Sequence, residues 1–329
     1  MKNNLERLKS IKAVPVQEVE LVEVKKMSEN HNFPILVQSN VSGLNLEKWI
    51  NNNKDFYNDT LKLNGALLFR NFNINTVDDF SAFISTLGIK AQSYTNRTSP
   101  RYSVAENVYT STTQPKTEII NFHSENSYSQ TPPNNLIFCC IIPSKVGGET
   151  PLADNRLILK SIPNSIVDKF RKLGVLYKRR VSEELGLGWR EIFQVDTKEE
   201  VEEQCRQNDI QFNWNDETLD LNWKGPAIVK HYLTGEEIWF NHAFFFNKYS
   251  YSEEFISILD SDDDLPFSTF YGDGSLISEE EYNHIKNAYN LSRVEFTWQK
   301  GDLLIIDNYF ISHARNSYEG DRQILVSIF

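Results

Sequence analysis

The sequence has little cysteine and no long apolar run. Its three cysteines, Cys139, Cys140 and Cys205, form no C-x-x-C pair, so neither a zinc knuckle nor a thioredoxin-type redox pair is indicated. Cys139 and Cys140 stand side by side in an apolar segment, where we expect them to be buried. No segment approaches the roughly 20 apolar residues of a membrane-spanning helix, and no signal peptide is visible. We therefore expect a cytoplasmic protein without a membrane partner.

Basic residues are also in short supply. The chain has 34 lysines and arginines against 45 aspartates and glutamates, which gives a formal net charge of −11. Because proteins that bind nucleic acids need a basic surface for the phosphates, no nucleic-acid partner is expected. One local basic run, Lys178-Arg179-Arg180, is either the solvated end of a strand or a contact for an acidic partner.

Apolar side chains are plentiful enough for a sizeable core: 40% of the 329 residues are hydrophobic and 12% are aromatic. No repeat or linker divides the chain, so we expect one domain over 1–329, with an irregular lead-in over 1–30 and a helical insertion over about 155–211. Capping boxes at Thr197/Glu200 and Ser278/Glu281 predict two helix starts. The apolar pattern predicts helices at 44–63 and 77–87 and short strands at 66–69, 136–142, 303–307 and 323–329. Many short strands with few helices favour a mainly β sandwich or jelly roll with helices added outside.

A histidine and a glutamate two residues apart, His123 and Glu125, suggest a metal site. In extended backbone such side chains share a face, so the pair offers two ligands to one divalent ion. His313, which follows a buried strand, is the preferred third ligand, and His242 is the alternative. Two histidines and one carboxylate, with coordination positions left open, form the facial triad of non-haem Fe(II) oxygenases.

Two arginines after His313 are candidates for holding a cosubstrate. 2-Oxoglutarate would chelate such an iron through its C1 carboxylate and C2 keto group, and its far carboxylate needs a bidentate cation. Arg322, at the start of the last apolar strand, is preferred because an arginine in a strand core must be paired, either by an internal salt bridge or by a bound dicarboxylate. Arg315 is the alternative. The hydroxyl of Thr150, after a pair of glycines, is a candidate second donor to the same carboxylate.

Polar and aromatic side chains elsewhere are candidates for binding a substrate. They are either the lining of a site or packed aromatic residues and surface arginines. These substrate-binding candidates are Arg97, Arg101, Tyr128, Asn241 and His242.

Motifs along nearly the whole chain resemble, in their order, the TauD/TfdA family of Fe(II)/2-oxoglutarate-dependent dioxygenases. Within that family they are most similar to the syringomycin-type aspartyl hydroxylases of nonribosomal peptide biosynthesis. The shared order of the motifs, rather than any one of them, carries the resemblance. They include NGALLFRNF at 64–72, FHSENSY at 122–128, GGETPLAD at 147–154, GWREIFQ at 188–194, TGEEIWFN at 234–241 and GDLLIIDN at 301–308, followed by His313 and Arg322.

The resemblance implies a distorted double-stranded β-helix, a clavaminate synthase-like jelly roll, with Fe(II), 2-oxoglutarate and O2 as cofactors. It matches His123, Glu125 and His313 to the family's iron ligands. Arg322 matches the arginine that holds the C5 carboxylate of 2-oxoglutarate, and Thr150 the threonine that supports it.

Two departures from taurine dioxygenase bear on the substrate. Glu125 replaces its aspartate, as in the amino-acid β-hydroxylases, and a retained carboxylate argues against the halogenating relatives, which lose it. Val326 stands where taurine dioxygenase has its sulfonate-binding arginine, which argues against a taurine-like substrate.

The function implied by the resemblance is hydroxylation of an unactivated C–H bond, at Cβ of an amino acid, in secondary-metabolite or nonribosomal peptide biosynthesis. The amino acid is either free or presented on a peptidyl carrier protein. One alternative is desaturation or another oxidation of a free small molecule by the same centre. An alternative of a different class is a non-catalytic jelly roll that binds metal or 2-oxoglutarate as a sensor or scaffold.

Overall fold

The computed structural model describes residues 20–88, 102–112, 114–184 and 186–329. The helices in these ranges are α1 (Leu46–Asn52), α2 (Lys54–Asn64), α3 (Val77–Thr86), α4 (Asn155–Ser161), α5 (Asn164–Leu173), α6 (Trp189–Phe193), α7 (Lys198–Gln207), α8 (Glu253–Ser257) and α9 (Glu279–Leu291). None of these described helices is long and apolar enough to cross a membrane.

The strands of the same ranges are mostly short. They are β1 (Val22–Lys26), β2 (Ile35–Ser39), β3 (Ala66–Arg70), β4 (Ser103–Ala105), β5 (Val108–Thr110), β6 (Ile120–His123), β7 (Asn135–Ile142), β8 (Val146–Gly147), β9 (Leu152–Asp154), β10 (Val175–Val181), β11 (Gln211–Asn215), β12 (Thr218–Gly225), β13 (Ile228–Lys230), β14 (Glu237–Trp239), β15 (Phe267–Tyr271), β16 (Arg293–Val294), β17 (Leu303–Asp307), β18 (Ile311–Arg315), β19 (Tyr318–Glu319) and β20 (Gln323–Ile328).

Two sheets build the core. The larger has the order β1-β2-β3-β17-β7-β20-β5-β4 and the smaller the order β16-β9-β18-β6. Phe138 and Leu304 of the larger sheet share a buried cluster with Ile311 of the smaller one. The other face of the larger sheet packs against Trp49 of α1 and Phe80 of α3. Burial on both faces explains why β17 is apolar at nearly every position.

A third sheet, of order β11-β12-β10-β15, adds a further layer. Tyr177 of β10 shares a buried cluster with Phe122 of β6, which brings this sheet next to the smaller core sheet. Strand β10 lies in the interval 155–211, which was expected to be helical and which contains α4 to α7 as well. Its residues alternate between buried and half-buried positions, the period of a strand with one covered face.

The helix predicted over 44–63 is two helices, because the chain leaves helical geometry at Asn53 (φ −127°, ψ 37°). The Asn53 side-chain amide donates to the carbonyl of Trp49 (2.8 Å), and its backbone N–H donates to Ile50 (3.0 Å). Asparagine competes with helix hydrogen bonds in this way. Both predicted capping boxes, at Thr197 and Ser278, are present.

Candidate metal centre

The three predicted metal ligands meet where β6 pairs with β18. In this antiparallel pair His123 stands directly opposite His313, and their ring centroids are 4.3 Å apart. One potential ligand atom from each of His123, Glu125 and His313 lies within 4.8 Å of the other two. Two imidazoles and one carboxylate at this spacing fit an iron(II) ion with coordination positions left open.

Glu125 reaches this cluster from a turn and not from a strand. Strand β6 ends at His123, so the expectation of two side chains on one extended face is wrong for Glu125. Asn308 holds the turn: its Nδ2 donates to the Glu125 carbonyl (2.9 Å) and its Oδ1 accepts the Glu125 N–H (2.7 Å). Asn126, the next residue, has a φ of 51°, a left-handed conformation that asparagine tolerates.

The His123 ring is oriented by the backbone beside it. Its Nδ1 lies 2.9 Å from the carbonyl oxygen of Asn121. Since a carbonyl only accepts, Nδ1 carries the proton and Nε2 keeps its lone pair for a metal. Hydrogen bonds of this kind fix the tautomer and orientation of metal-binding histidines. Phe245 packs on the same ring, at 4.8 Å between centroids.

A buried polar network joins the two segments that carry the histidines. The Oγ atoms of Ser124 and Ser312 lie 3.1 Å apart. Ser312 donates to Oδ1 of Asn155 (2.6 Å), and Nδ2 of Asn155 donates to Ser124 (3.0 Å). Because Ser124 follows His123 and Ser312 precedes His313, this closed ring of hydrogen bonds fixes the backbone at both histidines.

Arg322 is a half-buried cation on the wall of the same cavity. Its Nε donates to the Gly148 carbonyl (2.9 Å), and its Nη2 lies 3.4 Å from Oγ1 of Thr150. Burial, followed by the charge of Arg315, lowers the pKa of Arg322 to about 10. Within the described ranges Arg322 makes no salt bridge with a carboxylate. A partly buried guanidinium without a carboxylate partner favours a bound anion.

The surroundings of Arg322 are shaped to receive that anion. The Thr150 hydroxyl accepts a hydrogen bond from Nε1 of Trp298 (3.0 Å), so its own proton remains to be donated. Gly148 has a φ of 72°, and a Cβ there would stand 2.5 Å from Oγ of Ser144 and 3.0 Å from Cδ of Arg322. Only glycine therefore lets Arg322 pack against this turn.

Arg315, the alternative residue for binding the anion, donates hydrogen bonds to the chain's own backbone. Its Nη1 donates to the carbonyl of Gln114 (2.9 Å), and its Nη2 donates to those of Pro115 (2.6 Å) and Glu118 (2.7 Å). These bonds tie the segment 114–118 to β18. The geometry therefore favours Arg322 over Arg315 as the residue that binds a carboxylate.

His242, the alternative third ligand, lies outside the group of His123, Glu125 and His313. Its ring centroid is 6.0 Å from that of His123, and it is not part of the group that His313 completes. Its Nδ1 is 2.7 Å from Oγ of Ser127, and its backbone N–H donates to the Tyr177 hydroxyl (3.2 Å). Burial, with a smaller effect of His123, lowers the pKa of His242 well below its usual value, so the ring is neutral at the cavity wall.

The other predicted substrate residues are placed differently. Tyr128 lines the cavity with His242. Asn241 does not line it, because its amide donates to one backbone carbonyl (2.7 Å) and accepts from one backbone N–H (2.8 Å). Arg97 and Arg101 lie outside the described residues.

The cavity that these groups line has a volume of about 680 Å³, the size of a small-molecule site. Its wall also contains Arg179 and Phe267 from the third sheet and the neighbouring pair Phe245 and Phe246. Sequence reasoning assigned no role to Phe267, Phe245 or Phe246, and it considered Arg179 only as part of the basic run Lys178-Arg179-Arg180. Burial alternates along β10 and places Arg179 on the buried side, but the three consecutive basic residues 178–180 hide this alternation in the sequence. Asn308, also missed, ends the motif GDLLIIDN.

The family of the chain follows from its similarity to known proteins. The profile of the taurine catabolism dioxygenase TauD, TfdA family matches residues 24–328. The chain belongs to the TauD/TfdA family. This confirms the predicted enzyme class, a dioxygenase, together with Fe(II), 2-oxoglutarate and O2 as its cofactors.

Two curated relatives match most of this TauD/TfdA-family chain. The dapdiamide synthesis protein DdaC of Enterobacter agglomerans is 35% identical over 298 residues, which cover 89% of the chain and 90% of that protein. A clavaminate synthase-like protein of Arabidopsis thaliana is 27% identical over 290 residues, with 85% and 86% covered.

Solved structures share the fold at low sequence identity. PvcB, described as an Fe, alpha-ketoglutarate dependent oxygenase from an isonitrile synthetic pathway, superposes with a TM-score of 0.56 at 13% identity and covers 96% of this chain and 94% of its own. AAD-2, solved with Mn(II) and N-oxalylglycine, gives 0.55 at 14% identity, with 93% and 96% covered. The predicted fold class, a double-stranded β-helix core with outer helices, is confirmed.

Proposed function

We propose that this dioxygenase hydroxylates a C–H bond, at Cβ of an amino acid, in the biosynthesis of a peptide-like metabolite. The observation that carries the proposal is the cluster of His123, Glu125 and His313 within 4.8 Å, beside the half-buried cation Arg322. The relative named for dapdiamide synthesis supports a biosynthetic role. The expectation of an amino-acid substrate comes from the resemblance to the aspartyl hydroxylases.

In this proposal the residues of the site fall into two groups, one that holds the metal and one that holds the cosubstrate. His123, Glu125 and His313 hold Fe(II), and Arg322 with Thr150 holds the far carboxylate of 2-oxoglutarate. The bound iron, 2-oxoglutarate and O2 together supply the oxidant, and 2-oxoglutarate leaves as succinate and CO2.

The protein's own part is orientation and the exclusion of water. Asn308 fixes the turn that carries Glu125, and the Asn121 carbonyl fixes the His123 ring. Phe245 and Phe138 pack against the rings of His123 and His313, at 4.8 and 5.2 Å between centroids. These apolar faces keep water from the position where the C–H bond would be placed.

A carrier protein would not find a strongly cationic surface at the basic run of β10. Arg180 is paired with Asp220 (2.8 Å) and Asp264, and Lys178 lies 3.9 Å from Asp263. Arg179 is buried. The run is thus neither a solvated strand end nor a patch suited to an acidic carrier. That the substrate is either free or tethered to a carrier protein stays a prediction, and so does the cytoplasmic location.

The test is succinate release from 2-oxoglutarate with Fe(II) and O2, across free amino acids and the same residues loaded on a carrier protein. We expect iron-dependent succinate, stimulated by one substrate, and a product heavier by one oxygen atom. His123→Ala should abolish turnover, and His284→Ala, at an exposed position of α9, should keep it. If His123→Ala turns over like wild type, the metal assignment is wrong; a product that has lost two hydrogens instead would establish desaturation.

A further inference from the structure

We propose that the buried pair of His231 and Asp307 positions Glu125, the proposed carboxylate ligand, by fixing the turn that contains Asn308. Neither member of the pair is among the described residues that line the cavity, so both are positioning residues that touch neither metal nor substrate. This role rests on the proposed function, in which Glu125 is a ligand of Fe(II), and it extends the metal centre to residues that lie well behind its ligands.

The His231 ring has one defined tautomer. Its Nδ1 accepts the backbone N–H groups of Leu233 (3.3 Å) and Thr234 (3.2 Å). Nδ1 is therefore unprotonated, and Nε2 carries the proton that is donated to Oδ2 of Asp307 (2.9 Å). Both side chains are buried, and the His231 ring stacks on Phe310 at 3.9 Å between centroids. A hydrogen bond to a carboxylate is strong in such surroundings.

The second oxygen of Asp307 shapes the turn that follows it. Oδ1 accepts the backbone N–H groups of Tyr309 (2.9 Å) and Phe310 (3.1 Å), a local bond that aspartate makes readily in turns. Asn308 lies inside this turn, which carries the chain from β17 of the larger core sheet to β18 of the smaller one. Because His231 binds one oxygen and the turn binds the other, the orientation of the carboxylate is fixed, and the position of Asn308 with it.

Asn308 is the link between this turn and the metal centre. Its side-chain amide accepts the Glu125 N–H (2.7 Å) and donates to the Glu125 carbonyl (2.9 Å). Because Glu125 lies beyond the end of β6, strand pairing does not hold its backbone, and these bonds to Asn308 do. A displacement of Asn308 would therefore move the proposed ligand.

The pair does more than fill the core. Replacing both partners of a hydrogen bond by apolar groups of the same shape can be nearly neutral for stability, but apolar groups could not accept the N–H groups of the turn. His231 is itself held firmly, because its backbone N–H donates to the carbonyl of Glu236 (2.8 Å) and its carbonyl accepts the N–H of Gly235 (2.9 Å). The Asp307 carboxylate thus connects a fixed residue to the turn that holds Glu125.

The His231→Phe variant removes the donor to Asp307 and keeps a ring that can stack on Phe310. We expect the dissociation constant of Mn(II), measured by calorimetry, to rise by about tenfold or more, the usual cost of losing a partner that orients a metal ligand. His231→Gln, whose amide can donate to the same carboxylate oxygen, should recover most of the affinity. Two controls should bind Mn(II) like wild type: His284→Ala, at an exposed position of α9, and Thr197→Ala, which loses the helix cap of α7.

A second measurement tests whether the pair acts through Asn308. Asn308→Ala should itself weaken Mn(II) binding, and His231→Phe added to it should cause little further loss, because the residue that transmits the effect is already gone. Independent effects on the same affinity would instead multiply. A multiplied loss in the double variant would overturn the proposal, since the pair would then support the fold without positioning Glu125 through Asn308.

Two negative results are distinguishable. If wild type binds no Mn(II), the metal assignment of the proposed function fails and this inference fails with it. If wild type binds Mn(II) and His123→Ala does not, but His231→Phe keeps the wild-type dissociation constant, only the inference is overturned.

Urea unfolding reports whether His231→Phe is folded. If it is not, Asp307→Asn takes its place, because it keeps an acceptor for the turn but sets its amide N–H groups against the N–H of His231. We expect Mn(II) binding to weaken by a similar factor in this variant. Unchanged binding there would overturn the inference equally.

Discussion

Asn308 uses its whole side-chain amide on the segment around Glu125. Its Oδ1 accepts the Glu125 N–H, and its Nδ2 donates to the carbonyls of Glu125 and Pro133, all within 2.9 Å. The residue is completely buried. Because a carboxylate supplies no N–H and an aliphatic side chain supplies neither group, asparagine is the residue type that satisfies this turn.

Replacement of Asn308 should therefore damage the metal centre without removing a ligand. We expect Asn308→Ala to lower Mn(II) affinity by about 10- to 100-fold, the usual cost of losing a partner that orients a metal ligand. The free energy of unfolding should fall by about 3 kcal/mol, because buried backbone groups lose their partners at about 1–3 kcal/mol each. Calorimetry and urea unfolding measure the two effects. Asn287→Ala, at an exposed position of α9, is the control; wild-type Mn(II) affinity in Asn308→Ala would contradict the role.

Arg315, which is buried, and Arg322, which is half-buried, should respond in opposite ways to the same substitution. Arg322→Gln should weaken 2-oxoglutarate binding by about 100-fold or more, since breaking a buried charge pair costs about 3–5 kcal/mol. The ligand-free fold should keep its stability or gain some, because burial already disfavours the charge, as the lowered pKa of Arg322 indicates.

Arg315→Gln should instead cost stability, by about 2 kcal/mol, because backbone carbonyls lose charged donors. Its 2-oxoglutarate affinity should stay close to wild type. Thermal unfolding and calorimetric titration with Mn(II) present distinguish the pair. The reverse pattern would assign the carboxylate to Arg315.

Among the elements, α9 connects a helix cap to the strand of the metal centre. Its Tyr289 stacks on Phe122, the residue before His123, at 5.4 Å between ring centroids. The helix begins with a capping box in which Ser278 accepts from the Glu281 N–H (3.2 Å) and the Glu281 carboxylate accepts from Ser278 N–H (2.8 Å). The cap thus contributes to the stability of a helix that packs behind β6.

Removal of the cap should lower the free energy of unfolding by about 1 kcal/mol in Ser278→Ala, within the range of about 0.5–2 kcal/mol for helix N-caps. Thr197→Ala at the matched capping box of α7 should lose a similar amount, because both hydroxyls make the same bond. Urea unfolding of the two variants checks this. A loss at Thr197 alone would mean that packing of α9, rather than its cap, holds the helix in place.

Strands buried on both faces were the easiest elements to predict from the sequence. The strand predicted at 303–307 has those bounds in the structure, because its apolar run has no other low-energy place in a folded chain. Strand β10 was missed because Lys178, Arg179 and Arg180 hide its alternation, although their apolar stems and their ion pairs allow a partly buried strand. The break at Asn53 depends on local hydrogen bonds of Asn53, and the periodicity of apolar residues carries no information about them.

Much of the candidate metal centre follows from residue types, but its geometry does not. The grouping of His123, Glu125 and His313 was expected. The position of Glu125 in a turn depends on Asn308, a residue far away in the sequence. Tertiary hydrogen bonds of this kind leave no periodic trace, so only the structure reveals them.

On the scale of the whole molecule, a metal held by the proposed ligands would join segments that are distant in sequence. Ser124 and Ser312, which adjoin the proposed ligands His123 and His313, are 188 residues apart. Mn(II) at 100 times its dissociation constant should therefore stabilise the fold by about 2.7 kcal/mol, and a chelator should reverse the effect. His313→Ala should lose this stabilisation, and His284→Ala should keep it. Differential scanning calorimetry at several Mn(II) concentrations checks this, and a melting temperature of His313→Ala that still rises with Mn(II) would count against His313 as a ligand.

The direct pairing of His123 with His313 across two antiparallel strands has a consequence for how the protein is made. If the later strand slipped by one residue, its imidazole would turn to the opposite face of the sheet. If His123 and His313 are the ligands proposed above, only a molecule whose late strand has found its correct partner can take up the metal. The fraction of a preparation that binds one equivalent of Mn(II) is then a direct count of correctly assembled molecules. During refolding, the rate of metal uptake would report how fast the C-terminal segment pairs with β6.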